Sequence, residues 1–219
     1  MQLETTIPLF PLGLVLLPGT LLPLHIFEER YKLMIGKCLK ENQEFGIVYF
    51  NSAAIQTVGC TAKILKVLKH YEDGRLDILT RGRQRFSIKE LFNHKVYLEA
   101  QITFFDDEAL DDKYLSQDLA ERGINLLKQV ASGLEAEADD DVAEDMDFKS
   151  LSFLLAGSEG FSPEEKQRFL EMTSTSERFA KGVAALEKII ERMKITDEIH
   201  KIIGGNGNLG YFRLPPKPD

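Results

Sequence analysis

The sequence predicts an α+β protein in which a small β-barrel-like domain, with about six strands and one helix, precedes a four-helix bundle. Two observations lead to this prediction. Short apolar runs separated by turn residues fill the first 105 residues, and the apolar period then lengthens from about two residues to 3–4. We place the barrel-like part at residues 1–110, the helical part at 111–203 and a glycine-rich flexible tail at 204–219.

A charge-free run of 21 residues, Ile7–Phe27, lies near the start of the chain. The run is long enough to cross a bilayer as a helix, but four prolines interrupt it. Each interior proline costs a helix about 3 kcal/mol. We therefore predict two short strands here, Leu14–Leu17 and Leu21–Phe27, joined by a Pro18-Gly19 turn, and no contact with a membrane.

The rest of the first half has one helix among short strands. Apolar residues recur at helical spacing over Glu29–Glu41. Alternation breaks near Leu65, which indicates a β-bulge, and Asp73-Gly74 predicts a hairpin with a type I′ turn. The predicted strands are Phe45–Phe50, Thr57–His70, Leu76–Thr80, Phe86–Leu91 and Val96–Phe105.

Four helices are predicted in the second half. The first two are Tyr114–Val130 and Asp147–Leu155, joined by an acidic loop at residues 135–147. Ser162-Pro163 with Glu165 forms a capping box, in which a serine and a glutamate three residues apart close the first turn of a helix. The same spacing at Ser174 starts the last and longest helix.

Charge is concentrated in one segment of the chain. The formal net charge is −8, but residues 106–147 alone hold 15 acidic and 3 basic side chains. The sequence shows no basic excess across a whole face, so nothing in it indicates a general nucleic-acid binder. The two cysteines, Cys38 and Cys60, are too few for a disulfide framework, and the N-terminus lacks the basic region of a secretory signal. We expect a cytoplasmic protein with reduced, packed thiols.

Motifs for catalysis are absent from the sequence. No GxxxxGK[ST] phosphate-binding loop occurs, and the GSEG stretch at residues 157–160 lacks the GxSxG spacing of a nucleophile elbow. The four histidines are scattered, so no metal-ligand spacing arises. We assign the pair Asp106-Asp107 to a solvated acidic linker, where nothing shifts the pKa values for acid–base work. We expect no enzymatic activity, no metal and no cofactor.

Three stretches of the first half contain a recognisable order of motifs. They read IPLFPLGLVLLPG, LPLHIFEERY and VGCTAKILKVLKHYEDGRLDILTRGRQRFSI. An apolar strand ends in Pro-Gly, a Pro-Leu strand leads into an acidic-x-Arg helix start, and two strands around a Gly turn end in Gly-x-x-Arg-Phe. This order resembles the N-terminal domain of Lon proteases over about residues 1–195, matching at Pro11–Gly19, Pro23–Arg30, Val58–Ala62 and Gly82–Phe86. Cys60-Thr61 lengthens the family's Gly-Thr-x-Ala step by one residue.

The resemblance implies a stand-alone module that recognises protein substrates, without the ATPase and Ser-Lys peptidase domains that follow in the family. We therefore expect non-catalytic binding of unfolded or exposed polypeptide segments, as an adaptor or holdase in protein quality control, with self-association as a further interaction. An apolar surface rimmed by polar groups suits such loose specificity. The predicted contact residues are Leu21, Leu22, Phe27, Tyr31, Arg81 and Arg83.

The stretch TRGRQRF supports an alternative function. In a regular strand Arg81, Arg83 and Arg85 share one face, because side chains alternate between the two faces. That face suits an RNA- or nucleotide-binding small barrel, and it equally suits a solvated edge paired with neighbouring carboxylates. The acidic segment opposes nucleic acid by repulsion. Polypeptide binding is the first hypothesis and RNA binding the alternative.

Overall fold

The structure, a computed structural model, describes residues 4–51, 53–108, 117–133, 147–158 and 160–205. The strands are β1 (Glu4–Leu12), β2 (Leu21–Ile26), β3 (Phe45–Phe50), β4 (Ile55–His70), β5 (Leu76–Phe92) and β6 (Glu99–Phe104). The helices are α1 (Glu29–Glu41), α2 (Gln117–Gly133), α3 (Phe148–Gly157), α4 (Pro163–Glu171) and α5 (Thr175–Gly205). Within these described residues, no helix combines the length and apolarity that a membrane span requires.

All six strands belong to one sheet with the order β2-β5-β4-β3-β1-β6. β1 runs parallel to β3, and the other neighbours are antiparallel. β5 is long enough to pair twice on the same side: its first part pairs with β2 and its last part with β6. The β5–β6 pairing closes β5-β4-β3-β1-β6 into a ring of strands. β2 lies outside that ring with β5 as its partner.

Two predicted strand assignments are wrong. Leu14–Leu17 is a connecting segment after β1, with Leu16 and Leu17 buried. The predicted strands Leu76–Thr80 and Phe86–Leu91 are parts of one strand, β5, because the chain continues to pair with β4 across a register shift between Gly82 and Arg85. Gly82 lies against the segment before β2, where an added Cβ would be 2.1 Å from the Leu17 carbonyl oxygen.

Other predicted elements are confirmed, except for the type of one turn. α1 and β3 have the predicted bounds, and a register shift between Ile64 and Lys66 marks the bulge. α1 ends because Asn42 adopts the left-handed conformation, with φ of 50°. In the β4–β5 hairpin Gly74 has positive φ and Asp73 does not, so the turn is not type I′, which needs positive φ at both positions.

Helix starts follow the predicted caps. Ser162 and Glu165 form the capping box of α4, and Ser174 Oγ accepts the Glu177 backbone N–H at 3.1 Å at the start of α5. Asp147 caps α3. The start of the helix predicted from Tyr114, the acidic loop before Asp147 and the tail beyond Gly205 lie outside the described residues.

The main hydrophobic core extends from the sheet into the helices. It joins Met34 of α1 and Ile78 of β5 to Phe153 of α3 and Phe179 of α5. The core therefore continues across the predicted domain boundary at residue 110. A smaller cluster, Ile7, Leu9, Val48, Phe86, Ala100 and Ile102, fills the ring of strands. Cys38 and Cys60 are buried free thiols, as predicted.

Candidate functional site

The predicted contact residues separate by exposure. Leu21 and Phe27 are exposed, at 53% and 59%, although Ile26 between them is buried. Leu22 is half-buried and packs against the main core. Tyr31 is buried with its ring against Phe10, so neither Leu22 nor Tyr31 contributes a freely exposed side chain.

Leu21 and Arg81 belong to one face of a three-stranded ribbon made by β2, the first part of β5 and the last part of β4. Residues paired directly across strands share a face. The pairing therefore sets three rows on this face: Leu21–Arg81–Lys63, Pro23–Leu79–Lys66 and His25–Asp77–Lys69. We call these nine residues the ribbon face. Its opposite side contributes Ile26 and Ile78 to the main core.

Phe27 extends the ribbon face at the end of β2. Its ring stacks on His25 at a centroid distance of 5.9 Å. His25 Nδ1 lies 2.5 Å from Asp77 Oδ1, and the Tyr71 hydroxyl donates to the other Asp77 oxygen at 2.8 Å. The hydrogen bond with His25 and, to a smaller extent, the hydrogen bond from Tyr71 hold the pKa of Asp77 below its usual value. Asp77 is therefore a carboxylate already satisfied by neighbouring groups.

The ribbon face has an excess of positive charge. Lys63 and Arg81 lie directly opposite each other on β4 and β5, and like charges in that position destabilise a sheet. Within the described part of the chain, Lys63, Lys66 and Arg81 have no ion-pair partner. Lys69 lies over the Tyr71 ring, 4.5 Å from its centre. The ribbon face thus has four cations, Lys63, Lys66, Lys69 and Arg81, and one satisfied carboxylate, Asp77.

The three lysines of this face were missed by the sequence analysis. Regular alternation does not place residues 63, 66 and 69 of one strand on the same face. In the structure Leu65 and Leu68 are extra residues at two register shifts of β4, and each shift restores the next lysine to the ribbon face. Both leucines are exposed, at 42% and 50%. The bulge predicted near Leu65 was the one sequence feature that could have placed Lys63 and Lys66 on the same face.

The predicted three-arginine face is wrong. Arg81 and Arg83 are exposed, but Arg85 is only 2% exposed. The register shift between Gly82 and Arg85 breaks the alternation and turns Arg85 towards the interior. Its Nη1 donates to the Leu170 carbonyl oxygen at 2.9 Å. The basis for the RNA-binding alternative is thereby reduced to two of its three arginines.

The assignment of Asp106-Asp107 to a solvated linker is wrong for Asp107. The Asp107 side chain is 7% exposed and pairs with Arg85 of β5 and Arg178 of α5, whereas the Asp106 side chain is 70% exposed. Thr175 also donates a hydrogen bond to Asp107. Burial raises the pKa of Asp107, but hydrogen bonds from Arg178 and Thr175 and the charges of both arginines outweigh it, so the pKa lies below its usual value.

A cavity of about 360 Å³, lined in part by Arg85 and Asp106, lies next to this buried cluster, and we call it the basic pocket. Arg83 connects it to the ribbon face, since Arg83 lies two positions after Arg81 on β5, roughly 7 Å along the strand. Lys149 at the start of α3 pairs with Asp106 at the pocket, and Arg83 Nε lies 3.8 Å from a Glu44 oxygen. The lining residues are Pro18, Arg83, Gln84, Arg85, Phe104, Phe105, Asp106 and Lys149.

A second cavity, of about 400 Å³, is lined in part by Tyr31. Arg30 stacks on the Tyr31 ring, 4.5 Å from its centre, and Lys95 lies 5.6 Å from the centre of the Tyr97 ring. Lys95 also pairs with Glu99 at 2.7 Å, so its charge is compensated. Leu21, Phe27, Arg81 and Arg83 do not line this cavity. Among the described residues, no group of three or more His, Cys, Asp or Glu side chains is placed to hold a metal ion.

Comparison with solved structures identifies the class of fold. The chain resembles a Lon N-terminal domain protein from Xanthomonas campestris, with a TM-score of 0.63 and 23% identity over 82% of this chain and 98% of that one. It also resembles the N-terminal domain of a Mycobacterium avium complex Lon protease, with a TM-score of 0.68, 19% identity, and coverage of 84% and 98%. The six-stranded sheet with its helices is thus a Lon N-terminal fold.

The family follows from the sequence comparison. The model of the ATP-dependent protease La (LON) substrate-binding domain matches residues 6–188, and the chain belongs to this family. The Lon protease of Anaeromyxobacter dehalogenans and Lon protease 2 of Myxococcus xanthus are each 27% identical to it over 93% of this chain. The chain spans about a quarter of the length of these relatives, 26% in both.

Proposed function

We propose that this protein is a non-catalytic module that holds exposed segments of unfolded polypeptides. The observation that supports the proposal is the ribbon face with Phe27 beside it, where apolar side chains lie exposed among unpaired cations. Exposed apolar groups rimmed by polar ones are typical of interaction sites. Membership of a substrate-binding family makes polypeptide the partner class that fits best.

Side chains, rather than the strand edge, carry the proposed contacts. β2 pairs with β5 on one side, and within the described strands its other edge has no partner. Pro23 lies in the middle of β2 and has no N–H to donate, and proline on an edge strand discourages the addition of another strand. Side-chain contacts tolerate many sequences, which is what a holder of unfolded segments requires.

The same proposal covers the biological setting. A module that binds clients without chemistry of its own would act as an adaptor or holdase in cytoplasmic protein quality control. In this proposal the closed ring of strands is the small barrel, and helices α2 to α5 are the bundle packed on it through the shared core. The ribbon projects from the barrel and offers its outer face to the client.

A fluorescence titration with a permanently reduced, unfolded model protein tests the proposal. We expect saturable binding with a dissociation constant of about tens of micromolar, near −6 kcal/mol. Leu21→Ser and Phe27→Ser should each weaken binding roughly fivefold, because each removes about 1 kcal/mol of apolar contact. The matched control is Ile195→Ser on α5, since Ile195 is 51% exposed and Leu21 is 53%.

Absence of saturable binding by the intact chain would refute the proposal, as would an equal loss in the Ile195→Ser control. Retention of RNA that falls steeply with salt, together with no binding of unfolded protein, would instead favour the RNA-binding alternative.

A further inference from the structure

We propose that the basic pocket binds the carboxylate of an Asp or Glu side chain in the bound segment. The module then selects polypeptides in which acidic residues alternate with apolar ones. This inference rests on the proposed function, and it names the class of client. Three features of the pocket and its surroundings support it: charge, an apolar floor, and alignment with the ribbon face.

The first feature is the surplus of positive charge. Cations outnumber their carboxylate partners by four to three at and beneath the pocket: Arg83, Arg85, Lys149 and Arg178 against Glu44, Asp106 and Asp107. Arg85 is already held by Asp107 beneath the pocket, so its charge is committed to the protein interior. The Arg83 and Lys149 side chains are 54% and 39% exposed, and their ion pairs with Glu44 and Asp106 lie at the surface, so both cations remain accessible to a ligand. Their charge-assisted hydrogen bonds would be made to one carboxylate.

The second feature is the apolar floor. Phe104, Phe105 and Pro18 line the pocket beside the cations, and the Arg85 guanidinium lies 4.6 Å from the centre of the Phe105 ring. The methylene groups of Glu or Asp would pack on this floor while the carboxylate meets Arg83 and Lys149. A phosphodiester backbone has no such apolar stem to pack on this floor.

The third feature is alignment. Arg83 lies two positions after Arg81 on β5, and Arg81 is the middle residue of the first row of the ribbon face. From Arg83 to Asp77 the strand covers six residues, about 20 Å at roughly 3.3 Å per residue. An extended client of about the same number of residues would therefore reach from the basic pocket to the last row. Lys63 and Lys66 along this path have no ion-pair partner in the described part of the chain.

Fluorescence anisotropy with two labelled peptides, and a third as a control, tests the inference. One is an N-acetylated, C-amidated peptide of Leu, Phe, Ser and Glu, and the other is its twin with Gln for every Glu. We expect the Glu peptide to bind about three- to tenfold more tightly at low salt, and the difference to shrink as salt is added. A Gln twin with a free C-terminal carboxylate separates binding of the chain end from binding of side chains; it should bind like the amidated twin.

The double variant Arg83→Gln/Lys149→Gln tests the pocket itself. It should remove most of the preference for the Glu peptide, with a residual preference from Lys63 and Lys66, and should affect the Gln twin much less. Lys188→Gln, at an exposed lysine of α5, is the matched control and should change neither. Unchanged far-UV circular dichroism and melting temperature would confirm that the double variant folds.

Separate outcomes distinguish this inference from the proposed function. Equal affinity of the two peptides for the intact chain, or an equal loss of both in the double variant, overturns the carboxylate pocket while polypeptide binding stands. Tighter binding of only the free-acid twin also overturns it, because the chain end is then the ligand. Absence of binding for both peptides and for unfolded protein overturns the proposed function, and the inference falls with it.

Discussion

Asp107→Asn is the substitution that the structure predicts to be most damaging. The Asp107 carboxylate is 7% exposed and compensates two arginines whose side chains are only 2% and 0% exposed, Arg85 and Arg178. Asparagine keeps the shape of the side chain and removes the charge. Arg178 would retain its hydrogen bond to Ser152 Oγ at 2.8 Å, but two like charges would then lie buried together, with only the exposed Asp106, 4.0 Å from Arg85, as a counter-ion.

The expected loss follows from that arrangement. Removing one partner of a buried ion pair typically costs about 3–5 kcal/mol. Domains of this size have a total stability of about 5–15 kcal/mol, and each kcal/mol corresponds to roughly 2–4 °C in melting temperature. We therefore expect the melting temperature of Asp107→Asn to fall by roughly 6–20 °C. The neighbouring Asp106→Asn is the matched control. The Asp106 side chain is 70% exposed and pairs with Lys149 at the surface, so its loss should be within about 1 kcal/mol.

Urea unfolding followed by circular dichroism measures both variants, and pH adds a second criterion. The pKa of Asp107 is below its usual value, so the carboxylate stabilises the folded state above the unfolded pKa of about 3.9. That contribution is lost as the pH falls through the lower, folded-state pKa. The gap in unfolding free energy between the intact chain and Asp107→Asn should thus be constant at neutral pH and narrow in acid. A loss below about 1 kcal/mol, or equal effects of the two substitutions, would refute the buried-cluster argument.

Two further predictions concern glycine and cysteine positions. Gly82→Ala should lower the free energy of unfolding measured in urea by at least about 2 kcal/mol, because the added Cβ would meet the Leu17 carbonyl oxygen. Gly36 lies at an exposed position of α1 with open space around it, so Gly36→Ala should stabilise the chain by about 0.5–1 kcal/mol. The reverse order of the two effects would contradict this packing. Burial raises the pKa of Cys38 to about 11 and that of Cys60 to about 12. Neither thiol should therefore react with a chromogenic thiol reagent at pH 8 until denaturant is added. Rapid reaction of the folded protein would show instead that the thiols are accessible.

Local patterns in the sequence were sufficient for the elements that depend on neighbouring residues. α1 was predicted with its observed bounds because Tyr31, Met34, Ile35 and Cys38 give one buried helical stripe. The capping box at Ser162 is equally local. Leu14–Leu17 was mistaken for a strand because an apolar run has the same composition whether it pairs with a neighbour or packs as a buried loop. Only the tertiary structure distinguishes these cases.

Long-range pairing accounts for what the sequence could not predict at the buried cluster. Asp106 and Asp107 are adjacent acidic residues of identical type, and nothing local shows which one is buried. The choice depends on Arg178, which is 71 residues away and donates to Asp107 Oδ1 at 3.1 Å. Arg85 likewise looks like the third member of an exposed row until the register shift before it is known.

The ribbon face shows how a functional surface arises from irregularity in a strand. If β4 paired regularly with β5, without bulges at Leu65 and Leu68, the three lysines would alternate between the solvent side and the core side of β4. They are Lys63, Lys66 and Lys69. One of these ammonium groups would then lie against the core, which a small domain tolerates only with a buried partner. Each extra residue keeps the next lysine on the outer face, opposite β5, and adds an exposed leucine beside it. The same two bulges thus produce both the cations and part of the apolar surface that the proposed binding of acidic, apolar segments requires.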